Sequence, residues 1–327
     1  MKTPEQTPDG LREAIVWFDD FDHCRDFMVE LRWPDGKVKC PRCDSEKVFW
    51  IAKERVWKCY GKHDHVKFSL KTGTIFEDSP IKLEKWLPAV WLIASCKNGI
   101  SSYEVHRGLK VTPKTAWFML HRIRLAMKSG TFNKLSGVVE ADETFVGGKV
   151  TNMHRKAKRT IQAKNDGAWG KTIVLGLLER GGEVRAAVAP SRRKHTVHTN
   201  ISLNVEPGAK LYTDDFNAYD QLPEGYTREF VNHLESYVNG AVHTNGIENF
   251  WSLLKRTLKG TYVSVDPVHL IRYCDEQAFR YNNRKGMDDA DRFVTVMRQI
   301  VGKRITYDEL IGKTKPKELS SSEAVPF

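Results

Sequence analysis

The chain has 327 residues, a net charge of +11 and a mean hydropathy of −0.49. No apolar run reaches the roughly 20 residues of a membrane span, and residues 1–10 lack the apolar core of a signal peptide, so a cytoplasmic, nucleoid-associated protein is expected. Six cysteines are too few for a disulfide scaffold in a chain of this length, and clustered cysteines in such a setting favour metal binding. The 52 Lys and Arg against 41 Asp and Glu favour a polyanionic partner.

A helical segment over 1–36 is followed by a cysteine cluster that predicts a zinc ribbon over 37–78. Cys40 and Cys43 form a Cys-x2-Cys pair, and Cys59 follows after two short strand patterns joined by a turn. Zinc takes four ligands in a tetrahedron, and a hairpin this small has no adequate core of its own. His63 is the predicted fourth ligand and His65 competes with it; the alternative is a pair of unliganded thiols on a loop.

Residues 79–132 show helical periodicity and predict a helix-turn-helix-like DNA-binding segment. A short helix, a turn and a second helix opening at Thr112 or Pro113 have the arrangement of that motif. Lys114, Arg122 and Arg124 would supply phosphate contacts. A plain three-helix connector is the alternative, because helical hairpins are common.

Residues 133–290 change to strand patterns and predict an α/β core. Three antiparallel strands, a helix, a fourth strand ending at Asp214, a shorter strand near 229–232 and two long helices follow in order. This is the order of an RNase H-like fold, with a mixed sheet flanked by helices. Residues 291–327 are expected to form a C-terminal extension and tail.

That order of strands and helices predicts that three carboxylates lie close together. Asp142 lies inside the first strand, Asp214 ends the fourth and Glu248 lies in the first turn of the following helix. Carboxylates that converge repel one another unless cations lie between them, and oxygen ligands suit Mg²⁺ or Mn²⁺. Two such ions can activate an oxygen nucleophile on a phosphodiester. Singly, Asp142 could be a satisfied buried polar group, Asp214 a turn residue, and Glu248 a capping-box partner of Asn245.

The helix after Asn245 also carries basic residues. Lys255 follows Glu248 by seven residues and returns to nearly the same side of the helix about 10 Å along the axis. Lys255 and the adjacent Arg256 are therefore predicted to contact DNA. A solvated helix face is the alternative.

Together these residues resemble a known family, the insertion-sequence DDE transposases with an N-terminal zinc ribbon (ISXO-type). The matching stretches are Cys40-Pro41-Arg42-Cys43, Lys71-Thr72-Gly73-Thr74-Ile75-Phe76, Ala141-Asp142-Glu143-Thr144-Phe145-Val146-Gly147-Gly148, Tyr212-Thr213-Asp214 and the run from His243 to Arg256. The resemblance implies metal-dependent DNA cleavage and strand transfer by a dimer or higher oligomer. Its acidic triad would fall on Asp142, Asp214 and Glu248, and its basic follower on Lys255. Members vary at the third position, so Asn245 and Asn249 compete with Glu248.

The segment 149–171, directly after the first strand, is strongly basic. It holds seven Lys or Arg and one Asp. We expect this insertion to bind along the DNA backbone, with Lys156, Lys158 and Arg159 contacting phosphates.

The predicted function is therefore a transposase that binds the terminal inverted repeats of an insertion sequence and a target DNA. Two alternatives come from other classes. One is a catalytically silent DNA-binding regulator derived from a transposase, against which the intact acidic set argues. The other is an RNase H-like nuclease, against which the combination of ribbon and helix-turn-helix argues.

Overall fold

The computed structural model describes residues 7–128, 133–148, 170–231 and 243–314. The chain divides into two compact units. Within the described residues, the first unit contains 7–127 with 285–314, and the second contains 128–284. No described helix combines the length and apolar character needed to cross a membrane.

The first unit begins with two helices and a small sheet. Helices α1 (Leu11–Phe18) and α2 (Phe21–Arg32) precede strands β1 (Val48–Ile51), β2 (Val56–Cys59) and β3 (Lys67–Phe68), which pair antiparallel in the order β1-β2-β3. The turn predicted between the two strand patterns is a single 3₁₀ turn, Ala52–Glu54, followed by Arg55, whose φ of 56° is left-handed. The predicted hairpin is thus confirmed, and β3 is an additional strand.

Helices complete the first unit: α3 (Leu83–Ser95), α4 (Ser102–Leu109) and α5 (Pro113–Met127), and from the C-terminal part α9 (Asp289–Arg298) and α10 (Tyr307–Leu310). A capping box of Ser101 and Glu104 starts α4, and Lys110 in the left-handed conformation ends it. Phe293 of α9 packs 5.4 Å from Phe18, 5.4 Å from Phe27 and 5.1 Å from Trp91 between ring centroids. The segment after the sheet domain therefore completes the aromatic core of the first unit.

A mixed five-stranded sheet forms the second unit. Its strands are β4 (Val138–Val146), β5 (Thr172–Glu179), β6 (Val184–Ala189), β7 (Lys210–Asp214) and β8 (Thr227–Val231). The spatial order is β6-β5-β4-β7-β8: β5 and β6 are antiparallel to their neighbours, whereas β7 pairs parallel with both β4 and β8. The earliest strand of the unit therefore lies at the centre of the sheet.

Helices cover both faces of this sheet. Helix α6 (Lys194–Asn204) packs on the face that carries Val139 and Ala141. Helices α7 (Asn245–Thr257) and α8 (Leu270–Asn282) pack on the other face, where Trp251 and Phe250 share a core with Val174. A one-turn π-helix, Leu258–Tyr262, continues α7. The prediction of a mixed sheet flanked by helices is confirmed.

Candidate active site and zinc centre

Strand β4 presents acidic residues on one face and apolar residues on the other, because side chains alternate along a strand. Val139 and Ala141 belong to the core beneath α6. Glu140 and Asp142 face α7 instead, since Glu140 accepts a hydrogen bond from the backbone N–H of Ile247, and Asp142 accepts one from Trp251. The central strand therefore lines up two carboxylates under a single helix.

The Asp142 carboxylate is held at both oxygens. Oδ1 accepts the backbone N–H of Glu143 at 2.8 Å, and Oδ2 accepts the indole Nε1–H of Trp251 at 2.9 Å. Gly176 lies directly opposite Asp142 on β5, and a Cβ added there would meet the Trp251 ring at 2.4 Å. The absence of a side chain at 176 thus allows Trp251 to reach the carboxylate.

Asp214 reaches the same edge of the sheet as Asp142. Strands β4 and β7 are parallel, with Glu140 paired to Tyr212, so Asp142 and Asp214 each lie two residues further on the same face. Burial raises the pKa of Asp142 to about 6, and the negative charges of Asp214 and, more weakly, Glu248 contribute in the same direction. The negative charges of the two other predicted acids therefore act on Asp142.

Glu248 is exposed in the first turn of α7. The Thr244 hydroxyl donates to its Oε1 at 3.0 Å. The capping-box alternative for Glu248 is wrong, because α7 begins at Asn245 and its N-cap is Thr244, without a side-chain capping bond. Asn245 and Asn249 are also exposed in this turn and remain competitors for the third position.

A buried acid that the sequence reasoning missed anchors this helix. Glu140 is 1% exposed, accepts the Ile247 N–H at 2.9 Å and accepts Arg180 Nε–H at 2.9 Å. A Cβ added at Gly246 would meet Glu140 Oε2 at 2.7 Å. A negative charge at a helix N-terminus is favourable, so Glu140 fixes the turn that carries Glu248. The available signal was a second acid two residues before Asp142 in a buried strand.

Glu143 is a second acid near the candidate site that the sequence analysis did not predict. Its Oε2 accepts the Tyr219 hydroxyl at 3.1 Å. Burial, together with the charges of Asp214 and Asp142, raises the pKa of Glu143 to about 7. An Asp-Glu pair inside a strand was the signal, since strands disfavour both residues.

The zinc ligands form the tightest group. Among the described His, Cys, Asp and Glu ligand atoms, only those of Cys40, Cys43, Cys59 and His63 form a set of three or more lying within 4.8 Å of one another. Cys40 Sγ lies 3.5 Å from His63 Nε2, and Cys43 Sγ lies 3.6 Å from Cys59 Sγ. Three thiolates and an imidazole are a usual structural zinc set, and the geometry fits the metal.

The histidine ambiguity is resolved by this geometry. His63 Nδ1 lies 2.5 Å from the Asp64 carbonyl and donates to it, which leaves the Nε2 lone pair directed at the thiols. His65 lies outside the ligand group. A Cβ added at Gly61 would lie 2.8 Å from Cys43 Sγ and 3.2 Å from Cys59 Sγ, so only glycine fits against the site.

The predicted phosphate-contacting residues have different environments. Lys114, Lys255 and Arg256 are exposed. Arg122 and Arg124 are 4% and 1% exposed, and Arg122 donates to the Ile305 carbonyl. Buried guanidinium groups do not reach phosphates, so the prediction that Arg122 and Arg124 contact DNA is wrong. The insertion residues, Lys156, Lys158 and Arg159, lie outside the described residues.

Comparisons with known proteins agree with this organisation. A family model described as the ISXO2-like transposase domain matches residues 134–282, and one described as the transposase zinc-ribbon domain matches residues 20–61. A protein in transposable element ISH50 of Halobacterium salinarum is 31% identical over 241 residues, covering 71% of this chain and 81% of the relative. A transposase-like protein of Haemophilus influenzae is 28% identical over 120 residues, covering 36% of this chain and 94% of the relative.

A zinc ribbon joined to a mixed sheet with acids at its centre, matched by these two models, defines a transposase. The chain belongs to the ISXO2-like transposase family, as the resemblance predicted. Domains of this type imply DNA as the partner.

Proposed function

We propose that the chain is a DDE-type transposase that cleaves the ends of an insertion sequence and joins them to target DNA, with Asp142, Asp214 and Glu248 as its catalytic acids. One observation carries the proposal: Asp142 and Asp214 each lie two residues beyond the paired Glu140 and Tyr212 on parallel strands, and Asp214 and Glu248 both raise the pKa of Asp142. Concentrated carboxylate charge of this kind marks functional sites.

The strand order supports an RNase H-like core. With the strands numbered within the sheet, the order is 3-2-1-4-5, three antiparallel strands followed by two parallel ones. This order matches the predicted fold and places the carboxyl ends of the first and fourth strands at the same edge. The acids on those strands are 72 residues apart in sequence (214 minus 142), and only this order brings them together.

The donor set fits Mg²⁺ or Mn²⁺. The ligands are carboxylate oxygens, which these ions prefer, and the mutual repulsion of the acids is relieved by cations. The three acids are more widely spread than the zinc ligands, since they do not share a 4.8 Å group. When bound, the ions would activate water or a 3′-hydroxyl and stabilise the leaving oxygen.

The chain's own residues would orient the ligands. Trp251 and the Glu143 N–H hold the two oxygens of Asp142, and Glu140 holds the first turn of α7. Ligands fixed before the substrate arrives lose no further conformational freedom in the reaction. No side-chain nucleophile is required, because a DNA 3′-hydroxyl attacks the target directly.

We propose that the exposed basic residues Lys114, Lys255 and Arg256 contact DNA, and that the insertion 149–171 does so as well. We propose that the helix-turn-helix-like segment α4–α5 reads the terminal repeats and that the protein acts as a homodimer or higher oligomer on DNA. Replacing Lys156, Lys158 and Arg159 by Ala should weaken binding to all sequences alike and flatten its salt dependence. An unchanged salt slope would remove the insertion from the interface.

Cleavage of a labelled terminal-repeat duplex in Mg²⁺, with Ca²⁺ as the non-productive control, tests the proposal. Asn at position 142 or 214 should reduce cleavage by orders of magnitude while DNA binding persists. Full activity in Asp142→Asn would overturn the mechanism. Full activity in Glu248→Gln would move the third position to Asn245 or Asn249, which single Ala substitutions would then distinguish.

The two alternative functions predict other results. A silent regulator would bind terminal repeats without cleaving them in either Mg²⁺ or Mn²⁺. A nuclease would cleave without joining a 3′ end to a target duplex. Strand transfer of labelled ends into a plasmid therefore separates all three.

A further inference from the structure

A cleft of about 660 Å³ opens beside the acidic site of the second unit. Its walls come from the end of β4, the start of β5, the last turn of α7 and the segment that follows α7. The walls include the apolar residues Val146, Leu258 and Val265. Leu258 is buried in the helix-side core, whereas Val146 and Val265 are only partly covered. The cleft thus offers an apolar surface that the described residues leave open.

The rim of the cleft is basic. Lys171, Lys255 and Lys259 line it, and no described carboxylate does. All three lysines are exposed. Lys255 and Lys259 are four residues apart and lie on one side of the helical segment, one turn from each other. An apolar floor with three cations at its edge is complementary to a nucleotide, which combines a flat base with flanking phosphates.

The backbone at the mouth of the cleft is strained. Val263 has φ 61° and ψ −54°, and the N–H of Ser264 bonds to the Tyr262 carbonyl at 2.6 Å. This is a γ-turn of the rare positive-φ type, which costs free energy for a β-branched residue. The preceding π-helix is a second departure from regular geometry, and such turns are frequent at functional sites.

The packing on either side holds the turn in this conformation. The Tyr262 hydroxyl donates to Glu276, and its ring lies 4.7 Å from that of Tyr273 between centroids. Val265 packs against the core beneath α7 and α8. Val263 itself is 80% exposed. The fold therefore exposes the apolar side chain of Val263 to solvent beside the cleft. Burial within the described part of the protein does not explain why an apolar residue lies at this position.

The cleft lies at a defined spacing from the proposed acids. Val146, which also lines the cleft, follows Asp142 by four residues on the same face of β4, about 13 Å along a strand. Lys255 follows Glu248 by seven residues, about 10 Å along a helix. Separations of about 10–13 Å correspond to roughly three to four nucleotides of a stacked DNA strand at 3.4 Å each.

We infer that this cleft binds one unpaired nucleotide of a DNA strand, with the base on the apolar floor, the phosphates on Lys171, Lys255 and Lys259, and Val263 beside the adjoining base step. The inference rests on the proposed DNA substrate and extends it. Apolar side chains inserted at base steps unstack them, and a base held against apolar surface adds affinity without requiring a particular sequence. The nucleotide lies about three to four positions from the phosphate at the acids.

The test measures binding of the full-length, zinc-containing protein in Ca²⁺, so it does not depend on cleavage. One probe is a fluorescent 24-base-pair duplex, and the other is the same duplex with a three-nucleotide 3′ single-stranded extension carrying 2-aminopurine at each position in turn. The wild type should bind the extended probe roughly tenfold more tightly. The 2-aminopurine signal should change at one position more than at its neighbours.

Two variants act on the cleft and one serves as a matched control. Lys259→Gln should remove most of the preference and reduce the salt slope by about one. Gly148→Phe introduces a ring at the cleft wall, where an added Cβ meets nothing within 4 Å, and should abolish the preference without unfolding the protein. Lys210→Gln, at the opposite end of β7 from Asp214, should retain it.

Equal affinity of the wild type for the two probes would overturn the inference. An equal loss on both probes in Lys259→Gln would also overturn it, because it would reduce the lysine to a general phosphate contact. Retained preference in Gly148→Phe would place the nucleotide elsewhere. If the preference holds but the labelled terminal-repeat duplex is not cleaved in Mg²⁺, the proposed function fails and the cleft does not.

Discussion

Replacing Asp142 by Asn should stabilise the metal-free protein while removing its activity. Burial and the nearby acids raise the pKa of Asp142 from 3.8 to about 6. A raised pKa means that ionisation is costlier in the folded state than in the unfolded one, so stability is lost as pH rises through this interval. The shift of roughly two units corresponds to about 3 kcal/mol above pH 7. Asn carries no charge and avoids this cost.

The hydrogen bonds do not cancel the gain. Asn at position 142 and protonated Asp142 each present one acceptor oxygen to one of the two N–H donors, those of Glu143 and Trp251. Each turns a donor group toward the other N–H. The free-energy cost of the lost hydrogen bond is therefore similar in the two cases. The expected gain is therefore about 3 kcal/mol at pH 7.5, falling to less than about 1 kcal/mol at pH 4. For a unit of about 150 residues this raises the melting temperature by roughly 6–12 °C at the higher pH.

Calorimetry of full-length protein dialysed free of Mg²⁺, at pH 4, 5 and 7.5, measures the effect. Glu206→Gln removes an exposed acid and is the control, for which we expect no pH-dependent gain. Adding Mg²⁺ should stabilise the wild type and leave Asp142→Asn unchanged. A gain in stability that does not depend on pH, or a loss of stability at pH 7.5, would refute the reasoning. Either result would mean that the ionised Asp142 carboxylate does not destabilise the metal-free protein.

The remaining predictions concern the zinc centre and the tryptophan contact. His63→Ala should release zinc and His65→Ala should retain it, as measured by metal analysis; zinc retained in both variants would contradict the ligand assignment. Gly61→Ala should lower zinc occupancy, because its Cβ would lie within 3 Å of a ligand sulfur; unchanged zinc content would argue against that contact. Gly176→Ala should destabilise the second unit by about 1–3 kcal/mol in urea, since the ring of Trp251 fills that space. A Gly176→Ala protein of wild-type stability would show that Trp251 packs elsewhere.

Local patterns in the chain carried most of the element assignments. The Cys-x2-Cys pair and the two short strands predicted the ribbon, because ligand spacing and alternation are local properties. The end of strand β7 at Asp214 and the start of helix α7 at Asn245 were predicted for the same reason. The resemblance of the acidic motifs to a known family predicted the family, which the comparisons confirm.

Contacts between distant residues could not be predicted in this way. Arg122 and Arg124 were predicted to contact phosphates from their charge, but tertiary packing buries both. The sequence also did not show that residues 285–314 belong with the first unit, because membership depends on contacts such as those of Phe293.

The sequence by itself determined which side chains are available: three thiols and an imidazole for zinc, and acids in a buried strand. Only the tertiary structure decided their partners. It selected His63 over His65, since one imidazole reaches the thiols. It also placed Gly176 beneath Trp251 and Glu140 at the start of α7. The physical reason is that a strand pattern fixes which face a residue occupies, whereas the register and packing of other elements fix what that face meets.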